Sequence, residues 1–117
     1  MLESSLLYYY SKNGPERGGI ITNKGPEECE NVCENPYGGF EMSFEDQDKL
    51  DLPNVVGTFH THPGASANLS FEDYESFMGY PKLTHYIIGQ DGIRSYKVIN
   101  GILINENKTV SARTLTR

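Results

Sequence analysis

Tryptophan is absent from the 117-residue chain, cysteine occurs twice and histidine only three times. Cys29 and Cys33 form a lone Cys-x3-Cys pair, which is not the ligand spacing of a zinc finger. With residues 28–34 read as a strand, the two lie about 13 Å apart along it, beyond the reach of a disulfide. Both are expected as reduced structural thiols. Basic residues are scarce as well: ten Lys and Arg stand against sixteen Asp and Glu, for a net charge of −6. None of them clusters, so there is no basic face to neutralise nucleic-acid phosphates or an anionic membrane surface. No stretch reaches the roughly 18 apolar residues of a membrane span. The first residues carry no basic segment, and the apolar ones that follow are too few and too rich in tyrosine for a signal peptide. A cytoplasmic protein is the expectation. Repeats, linkers and low-complexity segments are missing too, and the length suits one domain over residues 1–117 with a single core.

What is present alternates short helices and strands. Leu2, Leu6, Leu7 and Tyr10 recur at helical spacing, predicting an amphipathic helix over 3–12 that packs on a sheet and stops at Asn13-Gly14-Pro15. Strands follow at 17–22, 28–34 and 40–44, separated by turns at 23–26 and 35–39, with Phe40, Met42 and Phe44 expected inward. Ser43 or Glu45 begins a short acidic helix ending near Leu52-Pro53. A central strand spans 54–60, and a helix over 70–79 is expected to bury Tyr74, Phe77 and Met78. The hairpin of 84–88 and 93–98 turns on Gly89-Gln90-Asp91-Gly92, and a last strand at 102–104 follows Asn100-Gly101. The segment 108–117 reads as a polar, frayed tail or an edge strand. This order describes an α+β domain with a mixed, mostly antiparallel β-sheet flanked by helices.

Residues 57–73, Gly-Thr-Phe-His-Thr-His-Pro-Gly-Ala-Ser-Ala-Asn-Leu-Ser-Phe-Glu-Asp, carry the chemistry. His60 and His62 end an apolar strand and, being two apart, leave the same face. Pro63 stops the strand, which leaves both imidazoles at its C-terminal end. Asp73, just inside the next helix, brings a carboxylate to the same neighbourhood. Two imidazoles, one carboxylate and an open position make the ligand set of a catalytic rather than a structural zinc. Ordinary structure also accounts for each piece. Ser70 and Asp73 suit an N-cap with an acid at N3, Leu69 and Tyr74 suit a hydrophobic staple, and a His-x-His pair is often held by hydrogen bonds alone.

The whole pattern is more specific. His60-Thr61-His62-Pro63, six residues, then Ser70-x-x-Asp73 resembles the signature of the JAMM (MPN+) metalloprotease family at every position: His-Ser/Thr-His-Pro, six residues, Ser, two residues, Asp. The resemblance implies a JAMM/MPN-like, cytidine-deaminase-like architecture and a Zn2+ ion on His60, His62 and Asp73. It further implies a glutamate just before the first core strand that moves the proton from the attacking water to the leaving amine. In Pro15-Glu16-Arg17-Gly18-Gly19 that residue is Glu16, with Glu3 and Glu27 the weaker candidates. Ser70 takes the role of oxyanion stabiliser, since no Gly-x-Ser-x-Gly elbow marks it as a nucleophile. His85, outside the motif, is expected to be structural. The implied activity is a zinc-dependent metallopeptidase or isopeptidase acting on a protein or peptide, a ubiquitin-like or small modifier protein among the candidates. Lacking insertions, the chain is similar to the minimal prokaryotic or phage members. Two other readings stand beside it: a non-catalytic MPN-type binding or scaffold module, and a small-molecule amide hydrolase. A cytidine-deaminase chemistry would need His-x-Glu and Pro-Cys-x-x-Cys, which are missing.

Overall fold

The computed structural model describes residues 2–106. Its first helix, α1 (Leu2–Leu7), is followed by strands β1 (Gly18–Thr22) and β2 (Gly25–Cys29). Next come a short helix α2 (Phe44–Asp48), continued by a 3-10 turn over Lys49–Asp51, and the central strand β3 (Val55–Thr61). Helix α3 (Phe71–Met78) leads to β4 (Thr84–Gly89), β5 (Gly92–Ile99) and β6 (Ile102–Asn105). The six strands form one sheet in the order β2-β1-β3-β4-β5-β6. Every neighbouring pair is antiparallel except β3 and β4. Parallel neighbours need a crossover, and α3 is that crossover.

Successive residues of a strand point to opposite faces, and Ile87 and Ile88 of β4 divide the core accordingly. Ile88 packs with Leu6, Ile21, Phe59 and Ile93 beneath α1, whereas Ile87 packs with Phe77, Tyr96 and Ala67 beneath α3. A third cluster, Ile20, Cys29, Leu50, Val55 and Leu83, seals the α2 end. The protein is therefore an α+β fold, a mixed and mostly antiparallel sheet with helices on its faces. Among the described residues no helix is long and apolar enough to cross a membrane.

Four local expectations give way. Helix α1 ends at Leu7 rather than residue 12, because Tyr9 and Tyr10 donate to Leu6 and Leu7 in tight turn bonds. The tyrosines are drawn elsewhere: the Tyr9 ring lies 4.8 Å from that of Phe59, and the Tyr10 hydroxyl accepts from Gly64 N. The strand expected at 28–34 lies instead at Gly25–Cys29, since Gly25, at φ +118°, lets the chain reverse after two residues and pair Thr22 with Gly25. Pro26 is tolerated there because β2 is an edge strand.

No strand forms at 40–44. Ser43 caps α2 by accepting from Asp46 N, which turns Phe44 into the first helical residue and leaves it 85% exposed, while Phe40 and Met42 still pack inward. On α3, Phe77 is buried and Met78 half-buried, but Tyr74 is 43% exposed because the helix shows the sheet only a narrow stripe. Both cysteines are free thiols, Cys29 buried in β2 and Cys33 in the loop beyond it. The expected tail at 108–117 falls outside the described residues.

Candidate metal centre

Strand β3 delivers His60, and His62 follows one residue past its end. Their Nε2 atoms face each other at 3.2 Å. Helix α3 begins beside them with a complete capping box: Ser70 Oγ accepts from Asp73 N, and Asp73 Oδ2 accepts from Ser70 N. The cap does not use up the carboxylate. Asp73 Oδ1 lies 3.0 Å from His60 Nε2, and Oδ2 lies 3.3 Å from His62 Nε2. One aspartate thus starts the helix and closes the site. Ser70 lines the same cleft, and its own hydroxyl proton is not consumed by the capping bond.

Glu16 reaches the cleft from the segment before β1. Arg17, its neighbour, pairs with the end of β3, donating from N to Thr61 Oγ1 at 3.0 Å and accepting from Thr61 N at 2.8 Å. Gly18 then passes directly over β3, where a Cβ would meet Phe59 O at 2.5 Å and His60 Cβ at 2.9 Å. Any side chain at 18 would push β1, and Glu16 with it, off the histidines. The ligand atoms of Glu16, His60 and His62 lie within 4.8 Å of one another. Glu3, by contrast, sits in α1, and Glu27 on the exposed edge strand.

Asn31 holds Glu16 from the other side. Its Nδ2 donates to the carbonyls of Glu16 at 3.0 Å and Gly39 at 2.9 Å, and its Oδ1 accepts from Cys33 N and Glu41 N. Glu16 N in turn donates to Pro36 O at 2.8 Å. One amide thereby gathers the irregular residues 30–43 and the backbone of Glu16. Nothing in the local sequence marks Asn31, whose partners lie up to fifteen residues away.

The electrostatics follow from burial and proximity. Burial pushes the Glu16 carboxyl up, against the pull of the two histidines and with the help of Asp73. Burial would also raise Asp73, but hydrogen bonds from the imidazoles in their protonated form outweigh it and hold the carboxyl far below the usual range. For His62 burial works downward, and the bonds to Asp73 and Ser66 prevail and raise it.

The donor set fits a tetrahedral cation. His62 Nδ1 lies 2.9 Å from the Ser66 carbonyl, which can only accept, so Nδ1 carries the proton and the Nε2 lone pair of the neutral ring faces Asp73. A lone pair opposed to a carboxylate calls for a proton or a cation between them. Ligands about 2.0–2.1 Å from a tetrahedral zinc stand about 3.3 Å apart; the two Nε2 atoms are 3.2 Å apart, and the Asp73 carboxylate turns one oxygen to each of them, at 3.0 Å from His60 and 3.3 Å from His62. A cleft of about 770 Å³ opens onto these groups, walled by Phe40, Met42, Leu50, Phe77 and Tyr80.

His85 lies deep in the wall of the same cleft and is structural. It is 1% exposed, donates from Nε2 to Tyr80 O, accepts at Nδ1 from the Thr58 hydroxyl at 2.7 Å, and stacks on Phe77. Burial holds its pKa down from 6.5 to about 4. As pH falls, the unfolded chain therefore takes up the proton first. The stability from neutral His85 is complete above about 6.5, declines between 6.5 and 4, and is gone below. In chelator, the unfolding free energies of wild type and His85→Gln, from denaturant melts, should converge by about 3 kcal/mol between neutral pH and pH 4. Parallel pH profiles would assign the acid sensitivity to other groups.

No family model matches the sequence, and no curated protein matches it. Among solved structures the chain is similar to the solution structure of a Desulfitobacterium hafniense protein, a structural-genomics target. The likeness covers 95% of this chain and 90% of that one, at a TM-score of 0.60 and 18% sequence identity. At that identity it is a likeness of fold.

Proposed function

We propose that the protein is a zinc-dependent metallopeptidase or isopeptidase of the JAMM (MPN+) kind. The observation that carries this reading is the meeting of His60 Nε2, His62 Nε2 and the Asp73 carboxylate, each within 3.0–3.3 Å of the next, with the Glu16 carboxylate beside them. When bound, zinc supplies Lewis acidity, which acidifies water and polarises an amide carbonyl. Glu16, within 4.8 Å of both imidazoles, accepts the proton of the attacking water and returns it to the departing amine. The Ser70 hydroxyl, on the cleft wall, donates to the carbonyl oxygen as negative charge develops.

The substrate we infer is an extended protein or peptide tail, with the C-terminus of a ubiquitin-like protein as the leading candidate. The loop 63–69 between His62 and Ser70 carries only small and polar side chains around Pro63 and Leu69, which leaves room for a slim chain. Elemental analysis of untagged protein is expected to find about one zinc per chain. Chelation should abolish cleavage of a ubiquitin-like C-terminal amide, and added zinc should restore it. Failure to bind zinc after dialysis would instead favour the MPN-type binding module, with Ser70 and Asp73 serving only as the helix cap already seen.

A further inference from the structure

The two histidines are held by different means. His60 belongs to β3 and is fixed by the sheet. His62 lies beyond the strand, and its ring is oriented by the bond from Nδ1 to Ser66 O in the irregular loop 63–69. That carbonyl belongs to the Ser66–Ala67 peptide unit, whose other end is the Ala67 N–H. Ala67 N donates to Asp91 Oδ1 at 2.8 Å. A single peptide group therefore lies between a carboxylate and the imidazole: Asp91 accepts from its N–H, and its C=O accepts from His62.

Asp91 sits in the two-residue turn between β4 and β5, and the loop is fastened there three times. Besides Ala67, Ser66 Oγ donates to Asp91 Oδ2 at 2.9 Å, and Gln90 N donates to Ala65 O at 2.7 Å. Arg94 orients the carboxylate, its Nη2 lying 3.0 Å from Oδ2 while its Nη1 donates to Asn68 Oδ1. Tyr96 closes the far side by donating to Ala67 O at 3.0 Å.

We propose that Asp91 is a positioning residue for the metal centre, acting on His62 through the Ser66–Ala67 peptide. The inference rests on the zinc reading above. Chains of hydrogen bonds polarise one another, so the charge on Asp91 makes the Ser66 carbonyl a stronger acceptor. A stronger acceptor holds the proton on Nδ1 and turns the Nε2 lone pair inward as a ligand. A metal-bound histidine commonly donates its second N–H directly to a carboxylate or carbonyl, and loss of that partner costs about 10- to 100-fold in metal affinity. Here a peptide group is interposed between the carboxylate and the ring.

The test measures two quantities on Asp91→Ala, Asp91→Asn and wild type. One is zinc affinity by competition with a chromophoric chelator; the other is the His62 tautomer in apo protein from ring-nitrogen NMR, well above the histidine pKa. Wild type should show the Nδ1–H tautomer. Asp91→Ala should show a mixture of tautomers and bind zinc about 10- to 100-fold more weakly. Asp91→Asn, which still accepts from Ala67 N but lacks the charge, should fall between, and this variant carries the test if Asp91→Ala does not fold. Ser66→Ala, which keeps the peptide unit, should change the tautomer least. Wild-type tautomer and affinity in both Asp91 variants would overturn the inference while leaving the zinc site standing. A wild type that binds no zinc would overturn the zinc reading instead, and the tautomer comparison would still decide whether Asp91 orients His62.

Discussion

Replacing Glu16 by glutamine is expected to lower amide turnover by about 100- to 10,000-fold, the usual contribution of a positioned acid–base group, while zinc content stays that of the wild type. Glutamine matches glutamate in size but cannot accept a proton at the working pH. The substitution leaves the support of residue 16 intact, because Asn31 and Pro36 hold its main chain and not its carboxylate. The prediction also separates two roles that the geometry alone permits. Glu16, His60 and His62 bring three ligand atoms within 4.8 Å of one another, so Glu16 could serve as a ligand as well as a base. A base lost to glutamine leaves the metal behind, whereas a lost ligand takes it away. Turnover unchanged in the variant would put the proton on another group, and zinc lost with it would make Glu16 a ligand. Elemental analysis beside single-turnover cleavage gives both answers.

The sequence made parts of this site legible because they are set by local rules. A His-x-His pair at a strand end shares a face by the two-residue period, and Ser70 with Asp73 writes a helix start in four residues. Both appear as expected, as do the hairpin at Gln90-Asp91 and the turn at Asn100-Gly101. The misses share a different cause. Strands are expected at 28–34 and, from the alternation of Phe40, Met42 and Phe44, at 40–44, yet one Asn31 amide, joined to backbone groups from 16 to 41, keeps residues 30–43 irregular. Asp91 looked like an ordinary turn residue, and its link to Ser66 and Ala67 spans 24 and 25 residues. Such side-chain-to-backbone bonds have no period, so no window of sequence reveals them. The half-exposed Tyr74 is the converse case: helical spacing shows which residues share a stripe, but the width of that stripe depends on what packs against it.

Asp73→Asn is expected to weaken zinc binding by more than about 100-fold, beyond what the loss of an outer partner costs, while keeping the helix cap. The two effects part because the aspartate does two jobs with different chemistry. As a cap it only accepts from Ser70 N, and an asparagine oxygen can do the same. Its backbone N–H, which donates to Ser70 Oγ, is untouched by the change. Toward the proposed metal it must be an anion: two neutral imidazoles bring no charge, so among these three groups the carboxylate alone offsets that of the cation. An amide brings no charge to balance a dication and binds it poorly in a site this enclosed. Asp73→Ala, by comparison, loses the reciprocal capping bond as well and should unfold about 1 kcal/mol more easily than the asparagine variant. Metal titrations and denaturant melts of the two variants, each with and without zinc, read these terms separately. Wild-type zinc affinity in Asp73→Asn would reduce Asp73 to a helix cap. Taken with a Glu16→Gln variant that had lost its metal, that result would transfer the carboxylate ligand from helix α3 to the segment before β1.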